Sequence, residues 1–220
     1  FSTAMGQNTI ASGDYSTAMG YNTDASGSRS TAIGNNTDAF GDYSTAMGFV
    51  TSASGYNSTA MGRYTYAPSA YETVIGIFNT AYTPSSTISI EPSDRLFVVG
   101  NGNGSSTSAR SDAMVILKNG NIGIGTSAPT SDLHITQSIS DFPNPTTGGI
   151  TLEQPNFSHK WQIWNSNPSL SFAYDNFRVA RVDPFSGAWV ITSDRRIKKD
   201  IEPMEDVLSK VMQLNSVRFR

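Results

Sequence analysis

The chain has 220 residues, of which 15% are charged and 37% apolar, whereas charged residues make up roughly 25% of an average globular protein. A formal net charge of -3 provides no clustered basic face, so no nucleic-acid partner is expected. Zero cysteines and two histidines, His134 and His159, exclude disulfides and Cys-ligated metals, and no metal or cofactor is expected. No run approaches the ~20 apolar residues that span a bilayer, so direct membrane insertion is not expected, and the start at Phe1 in mid-pattern reads as a cut from a longer protein.

From the first residues, Ser-Thr-Ala-Met/Ile-Gly recurs at 2–6, 16–20, 30–34, 44–48 and 58–62, with Glu-Thr-Val-Ile-Gly at 72–76. The spacing is 14 each time, and Ala-Ser-Gly at 11–13, 25–27 and 53–55 runs in phase with it. An uninterrupted period means one structural unit stacked on itself. Fourteen residues rich in Thr, Ser and Gly suit short strands and glycine turns better than two helices. Alternation places Thr3 and Met5 on one side and Ser2 and Ala4 on the other. Apolarity selects the ladder Met5, Met19, Ile33, Met47, Met61 and Ile75 as the expected core of each coil. So little apolar area per turn makes a lone coil marginal, and side-by-side association is the natural remedy.

This 14-residue ladder resembles the head repeat of YadA-like trimeric autotransporter adhesins, over residues 1 to about 83. The resemblance implies a left-handed parallel β-roll, three chains packed round an axis, and an extracellular setting. Val74 and Pro68 depart from the mostly small residues of the other turns, as in a capping turn. Two rival readings fit less well. The column Thr3, Thr17, Thr31, Thr45, Thr59 and Thr73 offers one threonine per strand where an ice-ordering array needs two. A calcium-binding β-helix needs a nonapeptide period with a recurring Asp, and Asp14, Asp24, Asp38 and Asp42 do not share a phase.

After Pro84, the runs 88–90, 95–100 and 113–117 predict short strands between Gly, Asn and Ser turns. The stretch Gly100-Asn101-Gly102-Asn103-Gly104 lacks the spacing and following helix of a phosphate loop, so it reads as a hairpin loop. Asn119-Gly120 is a two-residue hairpin signal. The run from Leu117 to Ile135, through Asn121-Ile122-Gly123-Ile124-Gly125-Thr126, resembles a connector of phage tail fibres and bacterial surface fibres.

Residues 136–192 hold all three tryptophans, and runs at 149–153, 160–164, 169–174, 177–182 and 189–191 predict a small five-stranded antiparallel domain. Trp161 and Ile163 share one face, Gln162 and Trp164 the other, so one tryptophan is expected to be exposed or at a subunit interface. Exposed rings suit the C–H face of a sugar, which makes Trp161, Trp164, Tyr174 and Trp189 candidate ligand-binding residues and a cell-surface glycan or receptor the candidate partner. The competing expectations are that these rings fill core and interface, leaving a structural spacer, or that the chain is a piece of a polysaccharide depolymerase tailspike. The latter needs two carboxyls ~5–9.5 Å apart, and Asp141, Glu153, Asp175 and Asp183 lie on different loops and strands.

From Ser193, the spacing of Met204, Val207, Leu208, Val211 and Leu214 predicts a helix. The signature Ser193-Asp194-Arg195-Arg196-Ile197-Lys198-Lys199-Asp200-Ile201 resembles the opening of the endosialidase-type intramolecular chaperone, which trimerises fibres and releases itself by self-cleavage. The resemblance makes Ser193 the nucleophile and Lys198 its dyad partner, for self-cleavage only; turnover of an external substrate is not expected. The expectation is therefore an all-β homotrimeric fibre of a bacterial surface or a phage tail, for adhesion or target recognition. Its parts are a β-roll (1–83), a β connector (84–135), a small distal antiparallel β-domain (136–192), and the start of the chaperone with a short helix (193–220).

Overall fold

The computed structural model describes residues 1–136, 149–154, 159–166, 169–175 and 177–191. The expected C-terminal helix, with Ser193 and Lys198, lies outside them. Two compact units divide at Thr136 and Gln137, and the described fold is all-β apart from one 3-10 turn at Thr107–Ala109.

In the first unit, strands β1 (Thr3–Gln7), β2 (Thr17–Ala25), β3 (Thr31–Ala39), β4 (Thr45–Ala53), β5 (Thr59–Arg63) and β7 (Thr73–Ile77) stack in parallel, with β6 (Tyr66–Ala67) beside β4. Each pairs with a strand one repeat later: Thr3 with Thr17, Ala18 with Ala32, Met47 with Met61. The result is a parallel β-solenoid whose sequence period is its structural turn. Glycine fixes the corner. Gly20 sits at φ +129, and a Cβ there would lie 2.0 Å from the carbonyl oxygen of Gly34, one turn on. A side chain is thus excluded both by backbone conformation and by the neighbouring coil.

The core lies on the side opposite to the one expected. Ala18, Ala32, Ala46 and Ala60, with Ala25, Ala39, Ala53 and Ala67, are fully buried, whereas Met5 is 56% and Met61 43% exposed. The alternation is as read; the choice of side is overturned. A coil closed in fourteen residues leaves an interior wide enough for methyls and hydroxyls only, so volume outweighs apolarity and the Met/Ile column is turned outward beside the threonines. Stacked Ser16, Ser30, Ser44 and Ser58, and Thr23, Thr37, Thr51 and Thr65, fill the remaining interior, and their hydroxyls have no hydrogen-bond partner.

The bore widens as the solenoid ends. Val74 occupies the alanine column and packs on to Val98, Val115 and Leu117. β8 (Arg95–Asn101) continues the parallel stack on β7. The antiparallel β9 (Asp112–Leu117) and β10 (Ile122–Ile124) then reverse it, and β11 (Leu133–Ile135) pairs in parallel with β10. The β9–β10 turn is the expected Asn119-Gly120 hairpin, with Gly120 at φ +94, and Gly102–Ser106 lies in the β8–β9 hairpin loop. Residues 88–90 are not a strand as expected: Ile88 and Ile90 stand in solvent on an irregular segment, having no neighbouring strand face to cover them.

A buried polar cluster closes this end. Glu72 takes the place of the repeat's serine; its Oε2 accepts from the Ser69 amide at 3.0 Å and the Tyr82 hydroxyl at 3.3 Å, while Oε1 has no partner. Burial pushes its carboxyl up from 4.5 to about 7, against the lowering effects of the Ser69 amide and Arg95. Arg95 lies 3.6 Å from Asp112, donates to the Thr80 carbonyl at 2.8 Å, and stacks 4.1 Å over the Tyr82 ring. The Asn79 side chain accepts from the Tyr66 amide at 2.9 Å and donates to the Tyr66 carbonyl at 3.1 Å, imitating one more strand at an edge that would otherwise be open.

The second unit contains a five-stranded antiparallel sheet in sequence order: β12 (Ile150–Gln154), β13 (His159–Ser166), β14 (Ser169–Tyr174), β15 (Phe177–Val182) and β16 (Trp189–Ile191). A register shift between Phe172 and Ala173 marks a bulge in the β14–β15 ladder.

Candidate functional site

Register sorts the second sheet into two faces. Leu152 opposes Trp161, which opposes Tyr174; Ile150 opposes Ile163, which opposes Phe172 and then Ala180 and Ile191; Leu170 opposes Val182, which opposes Trp189. One face is therefore apolar through these rows apart from the Tyr174 hydroxyl and the exposed Asn165, which opposes Leu170. The other carries Gln162, Trp164, Ser171 and Ala173, all buried.

This arrangement separates the four aromatic candidates. Trp161 is 49% exposed and Trp164 2%. The expectation that one tryptophan of β13 would be uncovered is met by Trp161, and Trp164 is not brought to the same surface. Tyr174 lies beside Trp161, ring centroids 5.1 Å apart at 56°. Trp189 shares their face but lies in another row, tilted against Phe172 at 5.0 Å.

Two polar residues that the sequence reading did not single out complete the Trp161 corner. His159 lies 5.3 Å from the Tyr174 ring, and its Nδ1 is 2.6 Å from Asp175 Oδ2. Asp175 Oδ1 accepts from the Lys160 amide at 2.9 Å, and Asp175 itself sits at φ +49 in the β14–β15 turn. The Lys160 amide, with the His159 hydrogen bond adding to it, holds the Asp175 carboxyl below its usual range. The visible signal was Asp175-Asn176, a turn pair between two strand runs; that it would face His159 follows only from register. The corner offers two rings, an anionic acceptor and an imidazole in one place, a combination that stacks and hydrogen-bonds a small polar ligand.

The other acidic candidates do not assemble. Asp183 closes the β15–β16 turn, accepting from the Phe185 and Ser186 amides at 3.1 and 2.8 Å, at the end of β15 opposite to Asp175. Glu153 opposes Lys160 on β12, and Asp141 lies outside the described residues. Among the described residues no group of three or more His, Asp or Glu could hold a metal ion, and no helix is long and apolar enough to cross a membrane.

Comparison with known families matches two parts of the chain. The family described as YadA head domain repeat matches residues 1–23, 25–51, 45–65 and 53–70, which span the solenoid up to β6; β7 lies beyond the match. The family described as Chaperone of endosialidase matches residues 193–220. No curated protein and no solved structure matches the chain. The chain therefore carries YadA-like head repeats, folded as a parallel β-solenoid, and at 193–220 a segment similar to the intramolecular chaperone of endosialidase.

Proposed function

We propose that the chain is part of a homotrimeric extracellular fibre, of a bacterial surface or a phage tail, that acts in adhesion or target recognition. The observation that carries this reading is the outward Met/Ile column on a solenoid built of head repeats. Met5, Met47, Met61 and Ile75 stand in line on one side of the coil, an apolar stripe that a single chain leaves wet and three chains cover. Residues 84–135 serve as connector and 136–192 as the distal domain of this fibre.

The target class that the second sheet suits is carbohydrate, bound at the corner of Trp161, Tyr174, His159 and Asp175. One site of this size binds weakly, and three on one axis gain by avidity. A glycan array probed with the full chain tests this. Trp161→Ala abolishes the array signal with the melting temperature nearly unchanged; a large drop in melting temperature assigns the ring to packing instead. Release of reducing ends from a bound polysaccharide would replace recognition by depolymerisation.

In the full-length protein the chaperone segment is removed by scission beside Ser193. The resemblance assigns the Ser193 hydroxyl as nucleophile and Lys198 as its base. Mass spectrometry of full-length Ser193→Ala and Lys198→Ala proteins decides this: both stay uncut, and scission at the same bond in either removes that residue from the mechanism.

A further inference from the structure

We propose that the apolar half of the second sheet's open face, formed by Ile150, Leu152, Leu170, Trp189 and Ile191, is a self-association surface whose occupant is the same face of a second copy of this chain. The proposal rests on the trimeric reading above and assigns to it a contact outside the head repeats.

The covered face of the sheet, which also holds Trp164 and Ala173, is the more polar of the two. Its Gln162, Ser169 and Ser171 are buried, while Trp189 is 57% and Ile191 72% exposed on the opposite face. The five residues lie on that face by ladder register and come from three of its strands. Together they expose on the order of 600 Å² per chain, at the upper limit of what a monomer leaves bare and close to the roughly 800 Å² that each partner brings to a stable interface.

Chemistry narrows the occupant. Of the described residues on this face, the ionisable ones, His159 and Tyr174 with the adjoining Asp175, belong to the Trp161 corner; Arg178 and Arg181 oppose Ala173 and Ser171, on the other face. Five side chains without a hydrogen-bonding group beyond the Trp189 indole suit neither a sugar, whose hydroxyls would be left unpaired, nor an anionic surface. They suit another apolar face. Trp189 is already braced against Phe172, so the largest anchor is ordered before contact. A three-fold axis brings one such face from each chain into a closed set and leaves Trp161, Tyr174, His159 and Asp175 at the rim, open to ligand.

The absence of cysteine from the chain makes the test clean. Full chains carrying Ile191→Cys or Leu152→Cys are treated with a short bis-maleimide, beside Glu153→Cys, whose position is on the opposite face. The expected result is covalent dimers and trimers from the first two and little product from the third. A protein that is trimeric by light scattering, labels fully with a mono-maleimide and does not cross-link overturns this proposal alone; a monomeric particle overturns the fibre reading with it. Acrylamide quenching of the unaltered chain needs no variant. Burial of Trp189 between copies leaves Trp161 as the one quenchable tryptophan, and quenching of both contradicts the proposal.

Discussion

The solenoid and the second sheet both turn apolar side chains to solvent, for different reasons. In the solenoid the coil is too narrow for anything larger than alanine, serine and threonine, and methionine is expelled by volume, one residue per turn. In the second sheet no such limit applies, since the buried face accommodates Trp164; there apolar side chains of one face lie open on four of the five strands, β12, β13, β14 and β16. Exposure in the solenoid follows from the geometry of the coil, and exposure in the sheet from what the sheet is to be packed against. A stripe one residue wide and a broad face give different responses to substitution, and the following changes separate them.

The largest effect is expected from breaking the period. Deleting residues 31–44 removes one turn and leaves every ladder in register, so the fold survives with a shorter solenoid. Deleting 31–38 is expected to abolish cooperative unfolding in the solenoid by circular dichroism, because it turns the buried Ala39 outward and puts the exposed Phe40 into the buried column of Ala32. Next is Gly34→Ala. With φ at +135 and a Cβ placed 2.0 Å from the Gly48 carbonyl oxygen, the neighbouring backbone must move, and a loss of about 4 kcal/mol or more is expected in denaturant unfolding. The methionine column should behave oppositely: Ala46→Leu overpacks the bore and costs about 2 kcal/mol or more, while Met47→Gln leaves the coil intact and weakens association.

Glu72 gives a pH dependence of intermediate size. Its carboxyl titrates at about 7 in the fold against an ordinary 4.5. The folded state therefore holds a proton that the unfolded chain has released. The stabilisation is complete below pH 4.5, is lost as pH rises to about 7, and amounts to roughly 3 kcal/mol. Melting temperature should fall across that window and level off above it. Glu72→Gln, which cannot ionise, should flatten the profile; an unchanged slope would place the titration elsewhere.

The smallest effect is expected at the Trp161 corner, where Trp161→Ala changes stability by less than about 0.5 kcal/mol while removing the proposed glycan signal.

Much of this was legible in the residues, unevenly. The 14-residue spacing translates directly into ladder register, and strand alternation divides Ser2 and Ala4 from Thr3 and Met5 as the structure does. Which side becomes interior was not legible from hydropathy, because it depends on the cross-section of a closed coil, a property of three dimensions. The same limit applies to β13: alternation separates Trp161 from Trp164 without saying which is covered. His159 and Asp175 are sixteen positions apart and meet only through the β13–β14 pairing. Glu72, by contrast, was visible as the break in a serine column, and a carboxylate where every other turn places a hydroxyl marks the end of the stack.

The central claim, that both apolar exposures exist to be covered by other copies of the chain, is tested most directly by the mass of the particle in solution. Sedimentation equilibrium of the full chain over a hundredfold range of concentration should give a folded species of three times 23.6 kDa, with loss of structure accompanying dissociation. A folded, stable particle of 23.6 kDa would contradict it.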